Sequence, residues 1–181
     1  SLELFNQLKK EPDHIFVSVG DGVIMSGIYK GFLDLLKLGR IEKVPIIHAI
    51  QAKGSSAINR AMSSGVFDFQ SAKTTADSIS VDIPSNGYLA IKNLKSHGGK
   101  CAVVSDEEIL SAQKELASVC GLFSEPASAA AYAGFLKNKK YIDSNETCVV
   151  LLTGNGLKDI NSAKKKIIIP KTSINSLDEI K

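Results

Sequence analysis

Ile15-Phe16-Val17-Ser18-Val19, then Gly20-Asp21-Gly22, then Val23-Ile24, is the stretch on which the reading of this chain turns. An uncharged run rich in branched and aromatic side chains reads as a short buried strand. Two glycines within three residues read as a tight turn, and Ile24, Ile28, Phe32 and Leu35 recur at the spacing of one helical face. The order is strand, glycine turn, helix. In such a turn the main-chain N–H groups of the loop and of the helix start converge, a geometry suited to a phosphate dianion. Glycine is needed there because a side chain would block close approach. No Gly-Lys-Ser/Thr follows, so the turn is not a P-loop. The spacing Gly20, Gly22, Gly27 also misses the third glycine of a dinucleotide fingerprint, and no acidic residue ends a second strand.

The same alternation repeats outward. Upstream, Leu2, Phe5 and Leu8 share helical spacing until Pro12 stops the pattern. Downstream, Ile46-Ile47-His48-Ala49-Ile50 predicts a second strand, and residues 55 to 64 a short helix ended by Gly65. Residues 66 to 85 are polar and irregular, a loop for a ligand or partner to order. Residues 86 to 97 read as helix, and Cys101-Ala102-Val103-Val104 as a third strand. Ser105 with Glu108 forms a capping box that opens a helix with the apolar face Ile109, Ala112, Leu116 and Val119, stopped by Gly121. Pro126 opens an alanine-rich helix to about residue 139. Residues 147 to 152 are a continuous apolar run of the kind buried on both faces, which Gly154-Asn155-Gly156 turns into a last short helix over 156 to 162. This β-α order predicts a three-layer α/β fold, with a mostly parallel sheet covered by helices on both faces and a ligand crevice at the carboxyl ends of the strands. Residues 1–163 form that domain, and 164–181 an edge strand or flexible tail.

At 181 residues the chain can build one core without disulfides or metal. A net charge of +3 from interspersed residues gives no basic stripe for nucleic acid, and no apolar run is long enough to span a bilayer. Cys101, Cys120 and Cys148 are odd in number and far apart, which fits reduced, buried thiols in a cytoplasmic protein. His14, His48 and His97 are scattered without ligand spacing and read as structural. The chain opens on Ser1 with no charged-then-apolar leader, and the expectation is a portion of a longer protein. Among the polar residues at strand ends, Thr153 offers a hydroxyl to the crevice or a cap to the helix after it. Lys158 and Asp159 read as an exposed helix start. Asp106-Glu107-Glu108 complement the dipole of the helix they open.

Four segments together carry a resemblance: Val19-Gly20-Asp21-Gly22, Ser105-Asp106-Glu107-Glu108-Ile109-Leu110, Glu125-Pro126-Ala127-Ser128-Ala129-Ala130-Ala131, and Leu152-Thr153-Gly154-Asn155-Gly156-Leu157-Lys158-Asp159. In this order, over roughly residues 2 to 160, they resemble the carboxy-terminal half of the threonine synthase family. The resemblance implies the tryptophan-synthase-beta-like fold and the cofactor pyridoxal 5′-phosphate. Gly20, Asp21, Gly22, Val23 and Ile24 match that family's phosphate loop, and Thr153 its hydroxyl beside the pyridine nitrogen. A neutral hydroxyl would not keep that nitrogen protonated. The implied reaction converts O-phosphohomoserine and water to threonine and phosphate.

The family often has asparagine where Asp21 stands. A carboxylate beside a phosphate dianion repels it unless it points away or hydrogen-bonds its own turn. Thr74-Thr75-Ala76-Asp77-Ser78-Ile79 resembles the family's substrate-facing segment, whereas Ser80-Val81-Asp82-Ile83-Pro84 departs from it. The Schiff-base lysine belongs to the family's amino-terminal half, and no lysine here matches it. No catalytic residue is therefore assigned in this chain, which is expected to be inactive alone, to need that missing half as partner, and to form homo-oligomers through its uncovered crevice. A threonine or serine dehydratase-like lyase and a non-catalytic phosphate-binding domain stand as the alternatives.

Overall fold

The computed structural model describes residues 1–165, 167, 176 and 178. Beyond Lys165, the expected edge strand or tail over 164–181 lies almost wholly outside the described residues. Among the described residues, four parallel strands form one sheet in the order β3-β2-β1-β4. β1 (His14–Ser18) lies inside, between β2 (Ile46–Ala52) and β4 (Cys148–Val150), and β3 (Lys100–Val104) flanks β2. His14 is in register with Ile46 on one side and Cys148 on the other. The chain therefore builds outward from β1 through β2 to β3, then returns to the opposite side of β1. The reversal sets a crevice between the carboxyl ends of β1 and β4, where open α/β sheets bind ligands.

Alternation along β1 supplies both faces of the sheet. Ile15 and Val17 point into a core shared with α2 (Val23–Lys37), α3 (Ala57–Ser64) and α4 (Gly87–Ser96), where Tyr29, Phe32, Ile58 and Leu94 are buried. Phe16 points the other way, into a core with Val104, Ile109, Leu116 and Ala130 under α5 (Asp106–Cys120) and α6 (Pro126–Asn138). The alanines of α6 have a packing cause. A Cβ at Gly134 would stand 2.4 Å from Ile50 Cδ1, so this helix approaches the sheet more closely than larger side chains allow. The remaining helices are α1 (Leu2–Leu8) and α7 (Ile160–Lys164), with short 3-10 turns at Asp77–Ile79, Lys139–Tyr141 and Gly156–Asp159.

The strand, helix and capping-box assignments stand, the last with both of its hydrogen bonds, but four expectations are corrected. β4 is only half-buried rather than buried on both faces; among the described residues it pairs with β1 alone. Val119 is 77% exposed near the end of α5, and Ile24 is 52% exposed at the crevice. Cys120 is exposed, and Cys101 and Cys148 are intermediate rather than buried. The histidines scattered in sequence are partly gathered in space: His14 Nδ1 lies 3.0 Å from His48 Nε2, both side chains are buried, and His48 stacks on Phe16.

Burial, reinforced by the charges of His14 and Lys100, pushes the His48 imidazole down to about 4 from its ordinary 6.5. The folded chain thus keeps His48 neutral where the unfolded chain would protonate it. Stability is full above pH 6.5 and declines as pH falls from 6.5 toward 4. We expect this group to remove on the order of 2 kcal/mol across that window. The check is urea denaturation across the window in the native chain and in His48→Asn, whose pH slope should be shallower. Equal slopes would contradict this.

Candidate active-site crevice

The crevice of about 360 Å³ is lined by the turn after β1, the start of α2, Ser78 and Ile79, the start of α6, and Thr153 and Lys158 beyond β4. Its first wall is the glycine turn. Among the described residues, no oxygen accepts from the main-chain N–H groups of residues 20 to 25; the first bond of α2 runs from Ser26 N–H to the Gly22 carbonyl. This row of free donors at the start of a 15-residue helix is a seat for an anion.

The turn is held from three sides. Gly22 has φ 83°, and a Cβ there would lie 2.9 Å from the Cβ of Ala90 on α4. Only glycine meets both conditions without strain. The buried Gln51 donates to the Val19 carbonyl at 3.2 Å and accepts from Asn59 N–H at 2.8 Å, tying the end of β1 to α3. Asn86 donates from Nδ2 to Ser26 Oγ at 2.8 Å. Asp21, the acidic departure in the turn, is occupied by that neighbouring segment: its Oδ1 accepts from Ser85 N–H at 2.9 Å and its carbonyl from Asn86 N–H at 3.1 Å. The N–H donors of the turn stay unpaired among the described residues.

The second wall centres on Thr153. Its reading as a helix cap is replaced, because Asn155 caps the following turn by accepting from Leu157 N–H. The Thr153 hydroxyl lies 3.1 Å from Ser128 Oγ, which also accepts from the N–H groups of Thr153 at 2.9 Å and Gly154 at 2.6 Å. Ser128 is fully buried in α6.

A third group spans the mouth. Lys158 Nζ lies 3.0 Å from Glu125 Oε2 and donates to Ser78 Oγ at 2.7 Å, and Ser78 Oγ in turn donates to Glu125 Oε2 at 3.1 Å. The Glu125 side chain is 7% exposed and that of Lys158 62%. Lys158 is therefore not a free helix start but the one cation among the residues lining the crevice. A Cβ at Gly154 would stand 2.0 Å from Glu125 Oε1, so glycine there makes room for the carboxylate.

Ser78 is placed by Asp106, whose carboxylate accepts from Thr74 Oγ1 at 2.5 Å, Thr75 N–H at 2.8 Å and Thr75 Oγ1 at 3.0 Å. Beyond complementing a helix dipole, Asp106 anchors the 74–79 segment. Burial pulls the Asp106 carboxyl upward, but these hydrogen bonds outweigh it and hold the group below the ordinary carboxylate value.

The six residues singled out in the sequence, Gly20 to Ile24 and Thr153, thus line one crevice. Ser78 lies in the segment that the resemblance marks as substrate-facing, whereas Ser128 and Glu125 were missed as site residues. The signal for Glu125 and Ser128 was their place at the start of α6, facing the end of β4.

Unpaired main-chain N–H groups thus face a hydroxyl across one crevice at the reversal point of a parallel sheet, the place where open α/β sheets bind ligands. The family profile described as "Pyridoxal-phosphate dependent enzyme" matches residues 1–154, and the chain belongs to that family, whose cofactor is pyridoxal phosphate. It is 39% identical over 163 residues to a threonine synthase of Methanosarcina acetivorans, and 37% identical over 169 residues to one of Methanocaldococcus jannaschii. These alignments cover 87% and 90% of this chain but 40% and 42% of the relatives, so the chain spans less than half their length. Among solved structures, a serine ammonia-lyase of Rhizomucor miehei superposes with TM-score 0.75 at 22% identity, covering 92% of this chain and 54% of that one. Maize serine racemase superposes with TM-score 0.72 at 21% identity, covering 91% and 48%. These likenesses place the fold among the tryptophan-synthase-beta-like enzymes. No described helix is long and apolar enough to cross a membrane.

Proposed function

We propose that this chain is the carboxy-terminal, cofactor-seating part of a cytoplasmic threonine synthase, a lyase that converts O-phosphohomoserine and water to threonine and phosphate. The observation that carries the reading is the row of free N–H donors over residues 20 to 25 facing Thr153 across one crevice, in a chain 39% identical to a threonine synthase. The residues fit the cofactor. Unpaired main-chain donors satisfy a phosphate dianion without a lysine, and a neutral hydroxyl suits a pyridine nitrogen. Gly20, Asp21, Gly22, Val23 and Ile24 would hold the phosphate through their N–H groups, and Thr153 would meet the ring nitrogen. Bound there, the cofactor supplies the electron sink for elimination and replacement at the amino-acid carbon chain. The chain's own part is to hold the ring, orient it through Ser128 and Thr153, and close one side of the mouth with the Ser78, Glu125 and Lys158 cluster.

The amino-terminal half supplies the lysine that bonds the cofactor and covers Val23, Ile24 and Leu157, which are 59%, 52% and 70% exposed here. Alone, the chain self-associates through this face and does not turn over substrate. A monodisperse monomer in sedimentation at micromolar concentration would contradict the first statement.

The test of function is the full-length protein with pyridoxal phosphate and O-phosphohomoserine, assayed for threonine and inorganic phosphate together. Equimolar appearance of both is the expected result. Neither product, with a 2-oxo acid and ammonia formed from threonine or serine instead, would replace the synthase with a dehydratase. No turnover of any of these would leave a binding domain.

A further inference from the structure

Ser128 sits in the middle of the alanine-rich run of α6, buried to 0% exposure, and makes three polar contacts. A serine hydroxyl has one proton to donate and two lone pairs with which to accept. Both lone pairs are engaged, by Thr153 N–H at 2.9 Å and by Gly154 N–H at 2.6 Å. The proton remains. Among the described residues its one acceptor within reach is Thr153 Oγ1, at 3.1 Å. A hydroxyl so enclosed has no water to turn to, and buried polar groups make the bonds open to them. Ser128 therefore donates to Thr153, and the polarity of the pair is fixed.

The consequence falls on Thr153. Its oxygen accepts from Ser128, so its own proton is directed elsewhere. No other described group hydrogen-bonds with that hydroxyl, and Thr153 lines the crevice. Thr153 thus presents a donor, where a lone threonine could rotate to present either a donor or an acceptor.

We infer that Ser128 is a positioning residue that locks Thr153 as a hydrogen-bond donor to the crevice, and so selects the unprotonated form of a ring nitrogen seated there. This rests on the cofactor reading above. A pyridine lone pair accepts from Thr153; a protonated ring would set two protons face to face. The alternative polarity, Thr153 donating to Ser128, would need Ser128 to carry three incoming donors on two lone pairs while its own proton went without a partner.

The probe is 4-deoxypyridoxine 5-phosphate, labelled with nitrogen-15 in the ring. It lacks the aldehyde, so it binds without any lysine. It is titrated with pH while bound to this chain and to the full-length protein, and the nitrogen-15 shift reads ring protonation directly. In the native protein the ring nitrogen should stay unprotonated to a pH about one unit or more below that of the free probe. Ser128→Ala should move that midpoint back toward the free value, and Thr153→Val should weaken binding about tenfold. In the Thr153→Val background, Ser128→Ala should shift the midpoint no further. Thr153→Ser should restore the native titration.

A structural role for Ser128 alone would lower affinity in both backgrounds without changing ring protonation. If Ser128→Ala does not fold, Ser128→Cys keeps a weaker donor in place and should give an intermediate midpoint. A protonated ring in the native complex, or a midpoint unmoved in Ser128→Ala and Ser128→Cys, would overturn the proposal. No binding of the probe by either native protein would instead overturn the cofactor reading and the proposal with it.

Discussion

Gly22→Ala should unseat the cofactor phosphate and destabilise the domain together. The alanine must hold φ near 83°, and its Cβ would meet Ala90 Cβ at 2.9 Å, with Ile58 Cδ1 at 3.5 Å behind it. Left-handed strain and overpacking against α4 add to a loss of about 3 kcal/mol. Relief comes from moving the start of α2 off α4, and that movement re-aims the N–H groups of residues 22 to 24. Loss of one or two charge-assisted bonds to a phosphate corresponds to roughly a hundredfold in affinity. Urea denaturation and titration with a pyridoxine phosphate measure the two effects. Gly39→Ala provides the contrast, since Gly39 also has a left-handed φ of 62° but no atom within 4 Å of its added Cβ. It should lose stability from strain and leave ligand affinity unchanged. Native affinity in Gly22→Ala would remove the turn from the site.

The second large effect is expected at Asp106. Its carboxylate holds Thr74 and Thr75 through three hydrogen bonds, and so fixes the segment that carries Ser78 to the crevice. Asp106→Ala removes a charged acceptor from three donors and an acidic group from the first turn of α5, a loss of about 2 to 3 kcal/mol. Asp106→Asn should lose less, because its oxygen can still accept from Thr75 while its amide is turned to the Thr74 hydroxyl, which can accept. Because the native carboxyl sits below its ordinary value of 3.8, its contribution is present above that pH and fades as pH falls through the lowered value. Substrate KM should rise in Asp106→Ala while cofactor affinity holds, since the glycine turn and Thr153 lie on other segments. A stability change under about 0.5 kcal/mol, the range of neutral surface substitutions, would contradict the anchoring role.

The parts of the fold and site legible in the sequence share a cause: they depend on neighbours in the chain. The turn at Gly20 to Gly22 was readable because two glycines between a strand and a helical repeat admit few backbone paths. The capping box at Ser105 and Glu108 was readable because both partners lie within one turn. Thr153 was readable as a crevice residue because a strand points it there, though only the geometry of Asn155 removes the competing cap.

What was not legible depends on contacts between segments. Ser78, Glu125 and Lys158 come from three elements, and nothing in the helix start at Lys158 reveals that its ammonium folds back onto a buried carboxylate. Ser128 is one small residue in an alanine run, where small size explains its presence before chemistry does. β4 was read as doubly buried because its side chains are apolar; among the described residues it lies beside β1 alone and is half-covered. His14 and His48 meet only through the register of β1 on β2.

The most direct test of the account is to map where a cofactor analogue binds. Two-dimensional nitrogen–proton spectra of this chain, recorded during titration with unlabelled 4-deoxypyridoxine 5-phosphate, report each main-chain N–H separately. The account predicts that the N–H signals of Gly20, Asp21, Gly22, Val23 and Ile24 shift together with that of Thr153, at one common affinity, and that Gly22→Ala abolishes these shifts. Shifts confined to residues outside the crevice, with residues 20 to 24 and Thr153 unmoved, would contradict it.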